Sequence, residues 1–284
     1  MSARISPTIR KILGATFLIT LLCQAVGATA KAETLKIGGT GAALGTMRIL
    51  ADEFVRLRPD VSVEIPNSLD SGGGIKAVLA GALDIALSSR QLKPKERNAG
   101  ARSKQYATTP FILVTPISHS NPTPGLTSEE LLKAYSGEPV HWNDGTPIRI
   151  ILRREKDSST RILIAAFDGM DVALARARTL PGIPVAFSEQ DNMDLAETMT
   201  GALTTGSLTV IIAENRPLTP IAINGVRPTL ENLADGAYPI SKSLYLVTGP
   251  KVSQLALDFL RFVQTTEGAA ILKKTGNLPV SPQG

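Results

Sequence analysis

Cysteine and histidine are nearly missing from this chain: Cys23, His119 and His141 are the only ones. That scarcity excludes a Cys/His metal centre and leaves few bases for a serine nucleophile. A G-x-S-x-G elbow and a carboxylate-rich metal cluster are also absent. A phosphoester hydrolase, with Ser158 or Ser71 as nucleophile and His141 as base, is therefore the outlying alternative; no catalytic residue and no enzyme activity are expected. Aromatic residues make up 4% of the chain, too few for a base-stacking surface, so no nucleic-acid partner is expected. Long apolar runs are missing too. The run Ile12 to Leu22 has 11 residues, whereas a bilayer span takes roughly 20.

What stands at the N-terminus is a targeting pattern. Arg4, Arg10 and Lys11 precede that apolar run, and Ala28-Thr29-Ala30 and Ala30-Lys31-Ala32 both fit an A-x-A cleavage site. Residues 1–32 are expected to be a cleaved signal peptide, which sends the protein to the periplasm. Leu22 stands where a lipidated Cys23 would need a small residue, so lipidation is not expected. Residues 1–32 carry Arg4, Arg10, Lys11 and Lys31 and no carboxylate, so their removal lowers the net charge from +5 to +1. General polyanion binding does not follow from that balance. The only cysteine leaves with the leader, so no disulfide, Cys metal site or cofactor is expected in the mature chain.

Three strand–loop–helix junctions organise the rest. The central one is Asp70-Ser71-Gly72-Gly73-Gly74-Ile75-Lys76, a polar, glycine-rich stretch running into the apolar period Ile75, Val78, Leu79. Glycine admits a ligand close to the backbone, and a helix start offers unpaired N–H groups at its electropositive end. The hydroxyl of Ser71 adds a donor, so the stretch reads as an anion cradle. The first junction is Gly38 to Thr46, after a strand at 34–38 and before a helix marked by Met47, Leu50, Ala51 and Phe54. Val61, Val63 and Ile65 alternate as a strand that Pro66-Asn67 breaks, and Leu83 to Leu87 forms another that ends at Ser88-Ser89-Arg90. This β-loop-α-β-loop-α-β pattern predicts parallel pairing, with ligands beyond the carboxyl ends of the strands.

The basic run Lys93, Lys95, Arg97, Arg102, Lys104 reads as a solvated face. Phe111 to Ile117 is expected to be a strand, and Thr127 with Glu130 has capping-box spacing before a helix through Leu131, Leu132 and Tyr135. Trp142 is read as a packing residue and His141 as a surface one. The third junction follows a strand at 148–152. There Arg154 offers a planar fork for a tetrahedral oxyanion, and Ser158 is a plausible N-cap for a helix at 162–167. Helices are expected at 171–179, 191–200, 255–263 and 267–274, and strands at Leu208 to Ile212 and Leu244 to Val247.

Taken together, these marks make the chain similar to the periplasmic phosphate-binding proteins of phosphate ABC transporters. They are Ser71-Gly72-Gly73-Gly74-Ile75-Lys76, Ala80-Gly81-Ala82-Leu83-Asp84-Ile85-Ala86, Leu126-Thr127 through Tyr135-Ser136-Gly137, Arg154 through Thr160, and Asn224-Gly225-Val226 with Tyr238-Pro239-Ile240. The resemblance implies an α/β, two-lobed, type II periplasmic-binding-protein fold, each lobe a mixed sheet flanked by helices, joined by two hinge crossings. The lobes would be 33–110 with 241–284, and 111–240. It implies a monomeric solute-binding protein for inorganic phosphate that serves an inner-membrane ABC permease. Another oxyanion (sulfate, molybdate or tungstate), a sensor role or a non-transport module are the alternatives.

By the same resemblance the ligand residues fall on Ala43, Leu44, Ser71, Ser89, Arg154, Ser158, Ser159 and Thr160; Thr40 and Gly41 of the first loop are further candidates, Thr40 as a hydroxyl donor only if that loop folds differently. Two positions depart from the family pattern. Ala43-Leu44 replaces a Thr-aromatic pair, so a hydroxyl donor is lost. Ser89 replaces an Asp that accepts from protonated phosphate and repels sulfate, which opens the choice between the two anions.

Overall fold

A computed structural model describes residues 32–116 and 125–280. The expected leader through Lys31, with Cys23, and also His119 lie outside the described residues.

The chain starts β1 (Glu33–Gly39), α1 (Gly41–Leu57), β2 (Val61–Glu64), α2 (Asp70–Leu79) and β3 (Ile85–Ser88). A short α3 (Pro94–Asn98) leads to β4 (Arg102–Pro116). After residues 117–124 come β5 (Gly125–Leu126), α4 (Ser128–Tyr135), β6 (Arg149–Ile150), β7 (Leu152–Arg153), α5 (Ser158–Ala166) and α6 (Met170–Ala177). Then follow β8 (Val185–Ala186), α7 (Glu189–Thr198), β9 (Ala202–Ser207), α8 (Leu208–Ala213), β10 (Leu218–Pro220) and β11 (Ala222–Ile223). The described chain finishes with α9 (Leu230–Ala234), β12 (Ser241–Thr248), α10 (Gln254–Val263), α11 (Thr266–Lys274) and β13 (Leu278–Pro279).

The main sheet runs β2-β1-β3-β12-β4-β9-β6, with β10 and β13 also on β4. β1 and β3 pair in parallel, Ile37 opposite Ile85, as the repeated strand–helix pattern predicts. β12 lies antiparallel between β3 and β4, and β9 is antiparallel to β4 but parallel to β6, so the sheet is mixed. The ladder between β12 and β4 runs from Ser241 opposite Pro110 to Thr248 opposite Arg102, with a bulge at Leu244/Tyr245.

Four apolar clusters hold the layers together, and they divide by chain segment. Leu35, Met47, Ile85, Ala107, Leu244 and Phe259 belong to one, and Ile75, Ala86 and Val247 to another; both draw only on residues before Phe111 and after Ile240. Phe111, Tyr135, Leu163 and Ile221 belong to a third, and Ile112, Met193 and Val210 to a fourth, built from the middle of the chain. β4 reaches from one pair of clusters to the other, with Ala107 in the first and Phe111 in the third; β12 runs beside it, and Ile240 just ahead of β12 packs on the third. The strongest helix signal, α10, turns Leu255, Ala256, Phe259, Phe262 and Val263 inward, and Ser253 caps it by accepting from the Ala256 N–H. Phe259 meets Phe54 edge-on at 5.2 Å between ring centres; full burial of such a ring is worth about 1.5–3 kcal/mol.

The structure corrects several local expectations. Leu208–Ala213 is a helix, not a strand; the strand is the preceding Ala202–Ser207. A five-residue run in which only Thr209 is polar carries no period that separates the two. The strand expected at 111–117 is the end of a longer one that begins at Arg102, inside the basic run. The expected strand at 148–152 is two short strands, β6 and β7, which pair with different neighbours. Lys93, Lys95, Arg97, Arg102 and Lys104 are exposed, as a solvated face requires. Trp142 is buried, its indole N–H donating to the Gly201 carbonyl at 3.2 Å, and His141 is exposed.

Candidate functional site

The carboxyl ends of β1 and β3 deliver the chain to Thr40 and to Ser89. The expected loop at 38–46 is in fact one residue long: α1 begins at Gly41, with Thr40 as its N-cap. Likewise the glycine-rich stretch is not a loop ahead of a helix. It is the first turn of α2, which starts at Asp70. Of its three glycines, Gly74 is the one that packing requires. A Cβ there would lie 2.7 Å from the Gly39 Cα, so only glycine lets α2 approach β1 this closely. Neither N-cap residue bonds back through its side chain; apart from the Ala43 and Asp70 N–H groups, which donate to the Thr40 carbonyl and to Ser68 Oγ, the first N–H groups of both helices face water or a ligand.

Four hydroxyls converge beside these helix starts. Ser89 Oγ lies 2.9 Å from Ser158 Oγ, 3.2 Å from Ser71 Oγ and 3.4 Å from Thr40 Oγ1. The Ser89 N–H donates to Ser71 Oγ at 2.9 Å. Thr40, Ser71 and Ser89 are buried, and Ser158 is half-buried. Each hydroxyl can donate or accept, so the group can turn its hydrogens toward an anion without a net change in charge. Ser158 opens α5 but does not cap it. Asp157 is the N-cap, accepting from the Ser159 N–H at 2.8 Å, which corrects the expectation for Ser158.

A cavity of about 690 Å³ contains Thr40, Gly41, Ser71, Arg154 and Ser158 in its lining. Exposed Lys93, Lys156 and Arg161 line it as well, and six Lys and Arg side chains in the lining outnumber the carboxylates of Asp70, Glu155, Asp157 and Glu189, a balance that favours anions. The other expected ligand residues sit differently. Ser89 touches the cavity hydroxyls from behind. Ala43 and Leu44 are packed in the apolar core, and the Ala43 N–H donates to the Thr40 carbonyl at 3.1 Å. Ser159 and Thr160 are buried; Ser159 Oγ accepts from Lys242 Nζ at 3.2 Å, and Thr160 Oγ1 donates to the Arg154 carbonyl at 2.8 Å.

Two adjacent arginines have different duties. Arg153 is buried and pairs with Asp157 at 3.0 Å. Arg154 is half-exposed and pairs with Asp70. Behind Ser159 lies an ionic group that inspection of the sequence does not single out. Lys242 and Glu189 are both buried, 3.5 Å apart, and Ser207 Oγ donates to Glu189 at 3.0 Å. Lys242 had one visible signal: it shares the apolar phase of β12 with Leu244 and Leu246. Burial acts to raise the Asp157 carboxyl, but the charges of Arg153 and Lys242 with the Ser159 N–H outweigh it and hold the group below its ordinary value. Among the described residues no cluster of side chains suited to a metal ion occurs.

Sheets of this mixed kind, with helix starts gathered around a polar cleft, define a class of binding proteins rather than one ligand. Residues 24–267 match the family model of the PBP superfamily domain, and the chain belongs to that superfamily. Its fold is that of the type II periplasmic binding proteins. Among curated proteins it is similar to the phosphate-binding protein PstS of Bacillus subtilis (strain 168), 27% identical over 265 residues that cover 91% of this chain and 84% of that protein. It is also similar to the phosphate-binding protein PstS of Borreliella burgdorferi, with 24% identity over 87% of this chain and 90% of the relative. Among solved structures, a putative phosphate ABC transporter substrate-binding protein with bound phosphate, from Clostridium perfringens, superposes with a TM-score of 0.73 at 23% identity, covering 88% of this chain and 100% of the other.

Proposed function

We propose that this protein is a solute-binding protein for a small tetrahedral oxyanion, inorganic phosphate first, which it hands to an inner-membrane ABC permease. It acts as a monomer outside the cytoplasm, after loss of residues 1–32, and breaks no bond. The observation that carries this reading is the meeting of Thr40, Ser71, Ser89 and Ser158 hydroxyls from four chain segments beside Arg154. The names of the curated relatives and the phosphate in the Clostridium perfringens protein support it.

In this reading Arg154 supplies the charge. Ser71, Ser158, Thr40 and the open N–H groups of α1 and α2 supply neutral donors. Ser89 holds the hydroxyls in register, and Ser159 and Thr160 fix the turn that presents Arg154. Gly41, Ala43 and Leu44 contribute through backbone and packing only. Residues 33–110 with 241–284 form one lobe and 111–240 the other, which the separate apolar clusters support. β4 and β12 are the hinge crossings, about which the lobes close on the anion.

One observation favours a second ligand. No carboxylate stands among the converging hydroxyls at Ser89, so nothing there rejects an anion that carries no proton. Sulfate is therefore the competitor to test. Calorimetric titration of the anion-stripped mature protein with phosphate, then sulfate, at neutral pH decides between them. Phosphate binding that Arg154→Ala abolishes is the expected result; binding of neither anion would overturn the oxyanion reading.

A further inference from the structure

Arg154 is not free. Its Nη2 is ion-paired with the Oδ2 of Asp70, a residue 84 positions away in sequence, at the start of α2. We propose that Asp70 is an internal competitor for the anion, occupying Arg154 until a ligand displaces it and so setting both affinity and the charge a ligand must carry. This rests on the oxyanion reading of the same site.

Three observations on this pair converge. Both partners line the hydroxyl-bearing cavity, and both also line a second cavity of about 520 Å³ beside Phe187 and Gln190, so the ion pair stands between two openings. Asp70 adopts φ of 55°, a left-handed conformation unusual outside glycine, asparagine and aspartate. The neighbouring backbone holds it there: the Leu69 N–H donates to the Gly39 carbonyl at 3.0 Å, and the Asp70 N–H to Ser68 Oγ at 3.3 Å. Finally, Nε of Arg154 is buried with no hydrogen-bond partner, so the guanidinium keeps a donor that Asp70 leaves unsatisfied.

The chemistry of displacement follows. The pair is partly solvated, with side chains 43% and 36% exposed, so it is weak enough to exchange. A carboxylate monoanion offers Arg154 the same two oxygens and the same charge that Asp70 already provides at high local concentration. It cannot displace Asp70. A tetrahedral dianion offers twice the charge and further oxygens for Nε and for the hydroxyls. The cleft thus discriminates against monoanions without touching them.

The test is calorimetric titration of wild type and Asp70→Asn with phosphate, with acetate as a monoanionic competitor. Asparagine keeps the shape and tolerates the left-handed backbone, and Asp70→Gly repeats the test with no backbone demand. We expect phosphate to bind both variants about two- to fivefold more tightly than wild type, the gain set by loss of a half-exposed pair. Acetate should weaken phosphate binding in the variants and not in wild type. Unchanged or weaker phosphate binding in both variants overturns the inference, because Asp70 would then orient Arg154 rather than compete for it. If wild type itself binds neither phosphate nor sulfate, the oxyanion reading falls first and takes this one with it.

Discussion

Replacing Lys242 by methionine probes the part of the site that carries the largest electrostatic load. The ammonium is buried, 3.5 Å from Glu189, and it donates to Ser159 at 3.2 Å. At that separation, and an effective dielectric near 20, the attraction is about 5 kcal/mol. Methionine keeps the length of the stem and its packing over the Phe111 ring, which the ammonium now faces at 5.5 Å. What it removes is the charge, so Glu189 stays buried with Ser207 as its remaining hydrogen-bond donor. Leaving one partner of a buried pair behind costs about 3–5 kcal/mol. For a chain of this size that is a fall in Tm of roughly 6–20 °C. Thermal unfolding followed by calorimetry measures it, and the double variant with Glu189→Gln should recover part of the loss. A fall of less than about 2 °C for the single variant would refute the premise that this pair is desolvated.

Ser89→Asp places a carboxylate among the site hydroxyls; sulfate affinity should drop roughly tenfold or more while phosphate, which can donate a proton to it, is retained, as competition titrations at neutral pH will show. The Asp157 carboxyl is held below its ordinary value of 3.8 in the folded protein. Its contribution to stability is therefore complete above that pH and is lost as the pH falls through the folded value. Asp157→Asn keeps the helix cap, so denaturant titrations should show it less stable than wild type at pH 7, with the gap closing in acid. Thr127→Ala removes a cap that accepts from the Glu130 N–H at 3.1 Å, and about 1 kcal/mol of stability should go with it in the same assay.

Where side chains repeat with a helical or alternating period, the sequence states the fold well. α10 and β1 to β3 are examples, because periodicity reflects which face is buried. The error at Leu208–Ala213 has the opposite cause. The true strand before it, Ala202–Ser207, is half polar, and it bonds two of its hydroxyls inward, Thr204 to the Ile151 carbonyl at 3.0 Å and Ser207 to Glu189 at 3.0 Å. The hydroxyls and Arg154 were legible as residue types at strand–helix junctions. That Ala43 and Leu44 point into the core was not, since α1 starts at Gly41, earlier than the glycines suggest. The ion pairs Asp70–Arg154 and Lys242–Glu189 join residues 84 and 53 positions apart, and no local pattern encodes such a meeting.

The arrangement of β4 and β12 also dictates an order of assembly. The apolar cluster around Leu35 and Ile85 needs Leu244, Leu246 and Phe259 to close, so residues 33–110 have no complete interior of their own as they emerge. The middle segment does, because its clusters draw on buried residues from Phe111 to Ile223, with Ile240 packed against them. The middle segment is therefore expected to fold ahead of the opening strands, whose apolar faces wait for the C-terminal residues. Truncation anywhere after the middle segment should leave that segment folded and the opening strands unpaired, which limited proteolysis would reveal as a protected fragment starting near Phe111.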